Sequence, residues 1–226
     1  MWMQYPSSES LYSMDNQYLI GSDLLVKPIT SPGASQVEVY FPTLDNWYDV
    51  DTFKELVGDS IQQSEDVISR VLKCDLDKIP VYQRGGSIIP RKLRLRRSSR
   101  LMYSDPYTLY VALDTSGNAY GDLYMDDEHS FDHDKTNSYG LAKFSVDMQK
   151  GMISNNVLNG TSNWAQNEAK SRMIERIVIM GANTAPKSFS SGNQSIDFHY
   201  DSTTEVIVLR KPGVSAVMDW EIKIVL

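Results

Sequence analysis

The sequence predicts a mostly β protein built from two β-sandwich-like domains. Short runs rich in β-branched and aromatic residues recur along the chain, and Gly, Pro, Asn and Asp separate them. The last run, from Trp220 to Leu226, alternates apolar and polar residues, which indicates a strand with one buried face. Helical periodicity is scarce, so we expect less than about a fifth of the residues to be helical.

The β-rich runs define the predicted strands. They cover residues 18–29, 36–41, 79–83, 87–90, 108–114, 119–125, 141–146, 176–180, 195–200, 205–211 and 221–226. Residues 64–73 have apolar positions that fit either a short helix or a strand, and we favour the strand. The composition changes near residues 91–105, which suggests a domain boundary there.

Composition limits the classes of partner and the chemistry. The chain has 226 residues, a formal net charge of −7 and a pI of about 5.0, which argues against a nucleic-acid partner for the whole surface. No apolar run approaches the roughly 18 residues of a membrane helix. No basic flank precedes an apolar core at the N-terminus, so we predict no signal peptide in this chain. With Cys74 as the single cysteine, an intramolecular disulfide is excluded, and the sequons at Asn159 and Asn193 leave the compartment open.

Residues 126–134, from Asp126 to Asp134, form the densest acidic stretch of the sequence. Converging carboxylates would suit a hard cation, but the stretch lacks the glycine and closing glutamate of a calcium loop. His129 and His133 stand four residues apart, which suits zinc only on a helix. The flanking strands favour a solvated hairpin tip, and we predict no metal site.

Residues 91–100 carry six basic side chains in ten positions. A nucleic-acid patch is one interpretation, but no aromatic residues alternate with the cations to stack bases. Leucines at 93 and 95 alternate with basic residues, so we favour a strand with one solvent-exposed face.

Other catalytic signatures are missing from the sequence. There is no Gly-x-Ser-x-Gly motif, and the pair Gly85-Gly86 lacks the lysine and spacing of a phosphate loop. Cys74 has no partnering histidine nearby, so we interpret it as a small core or edge residue.

Several whole phrases of the sequence resemble glycoside hydrolase family 31. The first runs from Trp2 to Pro6 and continues from Asp15 to Ile29, resembling the end of that family's catalytic barrel. The family's next domain is matched by Val39-Tyr40-Phe41-Pro42, Trp47-Tyr48-Asp49 and the phrase from Leu76 to Pro90. Residues 90–99, 121–131, 206–215 and 219–220 resemble those family members that trim glucose from N-linked glycans in the endoplasmic reticulum.

The resemblance implies a retaining α-glucosidase that hydrolyses O-glycosyl bonds with two carboxylates about 5–5.5 Å apart. In the family both are aspartates of a (β/α)₈ barrel, upstream of everything in this sequence. Asp15, Asp23, Asp49, Asp126 and Asp127 match neither position. We therefore assign no catalytic, cofactor-binding or metal-binding residue and predict that this chain alone is non-catalytic and needs no cofactor.

The resemblance also implies a domain division and partners. Residues 1–26 would be the end of the barrel, residues 27–103 a proximal β-domain and residues 104–226 a distal β-domain. The implied partners are the rest of the catalytic barrel, a non-catalytic β subunit and the glycan substrate, in the lumen of the endoplasmic reticulum. Neither nucleic acid nor a membrane span is implied.

Two further expectations concern a sugar-binding surface and the N-terminal segment. An alternative function is an independent carbohydrate-binding β-sandwich, with Trp47, Tyr48, Trp164 or Tyr139 as an exposed sugar platform. If residues 1–29 belong to a barrel, their apolar side chains have no facing layer in this chain. Deleting the residues before Lys27 would then improve its solubility without unfolding either β-domain.

Overall fold

A computed structural model of the chain describes residues 1–42, 45–56, 62–63 and 67–226. Strands account for 44% of the residues and helices for 8%, which confirms the mostly β prediction. The chain divides into two compact units, Met1–Gly85 (unit 1) and Gly86–Leu226 (unit 2). Among the described residues, no helix is long and apolar enough to cross a membrane.

The described residues of unit 1 form two antiparallel sheets and one 3₁₀ turn, Glu9–Leu11. Its strands are β1 (Tyr18–Ile20), β2 (Leu24–Val26), β3 (Gln36–Pro42), β4 (Trp47–Asp49), β5 (Gln62–Gln63), β6 (Val67–Lys73) and β7 (Val81–Arg84). The described strands pair in the orders β1-β2-β7-β4 and β3-β6-β5.

Two strand predictions in unit 1 have separate outcomes. The strand interpretation of residues 64–73 is confirmed for β6, while residues 64–66 lie outside the described part of the chain. The single strand predicted over residues 18–29 is wrong, because β1 and β2 form a hairpin. Gly21, at φ +62°, provides the left-handed backbone of the connecting turn.

The N-terminal segment of unit 1 is part of that unit's core. Leu11 and Leu25 are fully buried, and Tyr5 is 8% exposed, in one cluster with Phe41 and Tyr82. The expectation that the apolar side chains of residues 1–29 lack a facing layer is therefore wrong for these three. Other members of the segment, including Trp2 at 54% exposed, do face solvent.

A glutamine ties the same segment to the second sheet of unit 1. The Gln17 side chain is buried and donates from Nε2 to the Tyr40 carbonyl oxygen at 2.6 Å. Its Oε1 accepts the Tyr40 N–H at 3.0 Å. The pair of bonds copies a backbone ladder, so the segment is anchored to β3 by polar contacts as well as by packing.

Unit 2 is organised around one eleven-stranded sheet. Its strands are β8 (Ser87–Arg91), β9 (Tyr107–Ala112), β10 (Asn118–Asp126), β11 (Tyr139–Asp147), β12 (Met152–Leu158), β13 (Ile174–Met180), β14 (Ser188–Ser191), β15 (Gln194–Ile196), β16 (Phe198–Asp201), β17 (Val206–Arg210) and β18 (Trp220–Val225). Its short helical elements are a 3₁₀ turn, Ser99–Met102, and the helices α1 (His133–Thr136) and α2 (Asn163–Glu168). The strand order is β15-β14-β18-β12-β11-β10-β8-β9-β13-β17-β16.

The core of unit 2 lies along this sheet. Every residue of β9 is buried, as expected for a central strand, and β9 runs parallel to β13 and antiparallel to β8. In β18 Ile222 and Ile224 are buried while Glu221 and Lys223 are exposed, which confirms the predicted alternation. The predicted domain boundaries at residues 26/27 and 103/104 stay predictions. The strand β8 pairs with β9 of unit 2.

Candidate functional site

The basic segment, residues 91–100, does not form the predicted strand. Arg91 ends β8, no helix or strand covers residues 92–98, and a 3₁₀ turn begins at Ser99. The physical reason is that its cations turn towards acceptors of unit 2. Arg96 donates from Nε and Nη2 to the two Asp105 carboxylate oxygens at 3.0 and 2.7 Å. Arg94 lies 3.2 Å from the Glu175 carboxylate.

These ion pairs and hydrogen bonds make the cations of the basic segment less available to an external anion. The hydrogen bond from Arg96 holds the pKa of Asp105 below its usual range. Lys92 donates to the Tyr103 carbonyl at 3.0 Å, and its partial burial lowers its pKa. Cations that are already paired release little free energy on binding phosphate, so the geometry argues against a nucleic-acid site.

The acidic loop, residues 126–134, connects the antiparallel strands β10 and β11, which confirms the hairpin-tip interpretation. Asp126 Oδ1 accepts the Glu128 N–H at 2.7 Å. Asp127 Oδ1 accepts the N–H groups of His129 and Ser130 at 3.0 and 2.9 Å, and these bonds lower the pKa of Asp127. Its carboxylates therefore stabilise turns.

The histidine pair of the acidic loop has no helical spacing. The helix α1 begins at His133 and has four residues, so His129 lies outside it. Across the described residues, no group of three or more His, Cys, Asp and Glu side chains could hold a metal ion.

Arg172 holds the acidic loop and shares the Tyr103 carbonyl as an acceptor with Lys92. It is 1% exposed, donates from Nη2 to the Asp126 carbonyl at 3.1 Å and from Nη1 to the Tyr103 carbonyl at 3.3 Å. Its Nε donates to Glu168 at 3.2 Å, and Glu128 lies 3.7 Å away. A buried guanidinium with this many acceptors fixes the loops around it.

Sequence reasoning missed Arg172 because no motif surrounds it. An isolated arginine has no sequence pattern that marks it as buried. Its guanidinium carbon lies 3.9 Å from the Tyr103 ring centroid.

The aromatic residues proposed as a sugar platform divide into two groups. Trp47 and Tyr48 are 3% and 1% exposed, so that part of the hypothesis is wrong: both side chains belong to the interior of unit 1. Trp164 is half-buried and packs against the core of unit 2. Tyr139 is half-buried and stacks on Tyr124, with ring centroids 6.1 Å apart.

The remaining candidates have structural roles. Cys74 is buried with its Sγ 3.7 Å from the Ala34 carbonyl, which confirms it as a small core residue. Asp49 Oδ1 accepts three hydrogen bonds from Asp51 and Thr52, and Asp23 accepts one from Ser22.

Comparison with known proteins decides the family. Residues 1–89 match the family model described as "Glycosyl hydrolase family 31 C-terminal domain". The chain carries a glycoside hydrolase family 31 C-terminal domain. The whole chain is similar to the human "Neutral alpha-glucosidase AB", with 37% identity over 228 aligned residues. The alignment covers 98% of this chain and 23% of that protein.

Solved structures agree with this family assignment. The DNJ-bound glucosidase II alpha subunit superposes on 99% of this chain and 25% of its own, with 29% identity and a TM-score of 0.83. The "ER glucosidase II heterodimeric complex consisting of catalytic subunit and the binding domain of regulatory subunit" contains a chain that matches with a TM-score of 0.82 and 28% identity, over 99% of this chain and 25% of that one. The family 31 chain thus spans about a quarter of the length of these relatives.

Proposed function

We propose that this chain is the C-terminal β portion of a retaining α-glucosidase, which hydrolyses O-glycosyl bonds and trims glucose from N-linked glycans. The observation that carries the proposal is the 37% identity to neutral alpha-glucosidase AB over 98% of the chain. In this role the chain supports a catalytic barrel and does not cut the bond itself.

The chemistry of its carboxylates supports the non-catalytic role. A retaining glycosidase needs a nucleophilic carboxylate and a general acid about 5–5.5 Å apart, and the acid needs a raised pKa. Hydrogen bonds in the acidic loop lower the pKa of Asp127 instead. One carboxylate oxygen of Asp49 accepts backbone hydrogen bonds from Asp51 and Thr52 in its own turn.

The proposed partners follow from the same similarity to neutral alpha-glucosidase AB. They are the rest of the catalytic barrel, a regulatory β subunit and a glycan, in the lumen of the endoplasmic reticulum. The similarity to the catalytic subunit of the ER glucosidase II heterodimer supports both the second subunit and the compartment. We also propose that residues 1–26 end the barrel, with residues 27–103 and 104–226 as proximal and distal domains.

A chimera tests the proposal. The matching segment of human neutral alpha-glucosidase AB is replaced by this chain, and hydrolysis of an aryl α-glucoside is measured. We expect turnover from the chimera and none above buffer from the isolated chain. The chimera with Asp127→Asn should stay active. Turnover by the isolated chain that Asp126→Asn or Asp127→Asn abolishes would overturn the non-catalytic assignment.

A further inference from the structure

One of the two N-glycosylation sequons lies at the tip of a hairpin in unit 2. The strands β14 and β15 pair antiparallel, and a two-residue turn, Gly192 and Asn193, joins them. Gly192, at φ +56°, takes the positive-φ position that such turns require. The strand β15 is the first in the order of the eleven-stranded sheet, so no other strand of the described chain pairs with its outer edge. The sequon Asn193-Gln194-Ser195 therefore begins at the tip and continues along a sheet edge.

The acceptor groups of this sequon are accessible. Its three residues are all exposed. The Asn193 amide and the Ser195 hydroxyl form no hydrogen bond with the part of the chain that the structure describes. A Cβ added at Gly192 would meet no atom within 4 Å, so the space around the turn is open. The asparagine nitrogen and the hydroxyl two residues later, which define the acceptor, can therefore both be reached from solvent.

The second sequon, Asn159-Gly160-Thr161, differs at its asparagine. Asn159 follows β12 at φ +68° and is half-buried. Its Nδ2 donates to the Tyr139 carbonyl at 2.8 Å and to the Asn137 carbonyl at 3.5 Å. A glycan replaces one of the two Nδ2 hydrogens, so the bond made by that hydrogen is lost and the sugar is directed at a main-chain oxygen. The fold therefore disfavours a glycan at Asn159.

The two sequons thus have the same acceptor chemistry and different surroundings. We propose that unit 2 carries an N-linked oligosaccharide on Asn193 and none on Asn159. In the transfer, Asn193 Nδ2 forms a bond to C1 of an oligosaccharide carried on a polyprenyl diphosphate, while the bond from C1 to the diphosphate oxygen breaks. The nitrogen loses one proton to a base of the transferase, and the polyprenyl diphosphate leaves. The proposal rests on the proposed location in the lumen of the endoplasmic reticulum, because the acceptor meets the transferase there.

Translation of the full 226-residue chain behind an added cleavable signal peptide, with endoplasmic-reticulum microsomes present, tests the proposal. Protection from added protease identifies the translocated chains. In these chains we expect a single electrophoretic shift that peptide N-glycosidase removes. The same enzyme in heavy-oxygen water converts a glycosylated asparagine into an isotope-labelled aspartate. Mass spectrometry should locate this label at position 193.

Matched variants separate the two sequons. Asn193→Gln and Ser195→Ala should each abolish the shift, and because both residues are exposed, neither should change the melting temperature of the purified chain. Ser195→Thr keeps a hydroxyl and should keep the shift. Thr161→Ala removes the other sequon, leaves the hydrogen bonds of the Asn159 side chain in place, and should not alter the shift.

Three results overturn the proposal. The first is a protease-protected chain without a shift. The second is a shift that persists in Asn193→Gln and Ser195→Ala and disappears in Thr161→Ala. The third is a label at both asparagines in chains that resist limited proteolysis after the membranes are solubilised. The added signal peptide brings the chain into the lumen whatever its natural compartment, and no readout needs turnover. Failure here is therefore distinguishable from failure of the proposed localisation or of the chimera assay.

Discussion

Deleting residues 1–26 should unfold unit 1, contrary to what the resemblance to a barrel strand suggests. The deletion removes four buried apolar residues, Tyr5, Leu11, Leu25 and Val26. It also removes β1 and β2, so that β7 keeps only β4 of its two antiparallel neighbours. The hydrogen bonds of Gln17 to the Tyr40 backbone disappear as well.

The magnitude follows from burial. Each large apolar side chain contributes about 1.5–3 kcal/mol when buried, so four contribute roughly 6–12 kcal/mol. A unit of this length, Met1–Gly85, has a net stability of roughly 4–13 kcal/mol at about 0.05–0.15 kcal/mol per residue. The loss is therefore of the same size as the whole stability of unit 1. A single substitution, Leu11→Ala, should cost about 2–5 kcal/mol.

Thermal unfolding and hydrogen exchange measure the effect separately in each unit. We expect β3, β6 and β7 to lose protection in the deletion variant, while strands of unit 2 keep theirs. Ile20→Ala is the control, because Ile20 is 56% exposed and its loss should cost about 0.5 kcal/mol or less. If the shortened chain is monodisperse with native protection in β3 and β6, the N-terminal segment does not hold unit 1 together and this reasoning is wrong.

Three further predictions concern unit 2. Arg172→Met should cost about 3 kcal/mol in a urea titration, because buried carbonyls and a carboxylate lose their donor. A hydroxyl hydrogen bond from the threonine two residues later lowers the pKa of Asp201 to about 2, so its contribution to stability is complete above the ordinary value of 3.8 and is lost as pH falls from there towards 2. Asp201→Asn should therefore flatten the acid limb of a pH–stability curve in that window. Gly121→Ala would place a Cβ 2.1 Å from the Ile88 carbonyl oxygen and should lower the melting temperature by several degrees, whereas Gly140→Ala, whose nearest neighbour is 3.4 Å away, should not.

Sequence analysis located strands that are rich in β-branched and aromatic residues, both fully buried ones such as β9 and alternating ones such as β18. The strand β18 has that pattern, and its buried positions Ile222 and Ile224 were predicted. The strand β12 escaped prediction because Ser154, Asn155 and Asn156 stand at its centre, and local propensity disfavours asparagine in strands. Its pairing with β11 and β18 outweighs that propensity, and the Ala216 and Met218 carbonyls accept hydrogen bonds from the buried Asn155 Nδ2.

The hairpin within residues 18–29 shows a different limit. Gly21 was visible as a turn signal, but the apolar residues on both sides favoured one continuous strand. The charged clusters were located correctly as features of a β-domain, yet their partners could not be found. Asp105 and Glu175 lie 9 and 81 positions from the arginines that they bind, and no local pattern encodes contacts over such separations.

The hydrogen bonds that each carboxylate accepts describe its role more clearly than the local density of acidic residues does. The acidic loop holds most of the adjacent acids, but Asp127 accepts two backbone N–H groups and its lowered pKa disfavours proton transfer at neutral pH. Asp105 is equally committed to Arg96. Asp219 Oδ1 accepts the Val157 N–H, which ties the residue before β18 to β12. A carboxylate that already accepts backbone N–H groups or a guanidinium has a structural role, and this is why the conspicuous acidic loop carries no catalytic assignment.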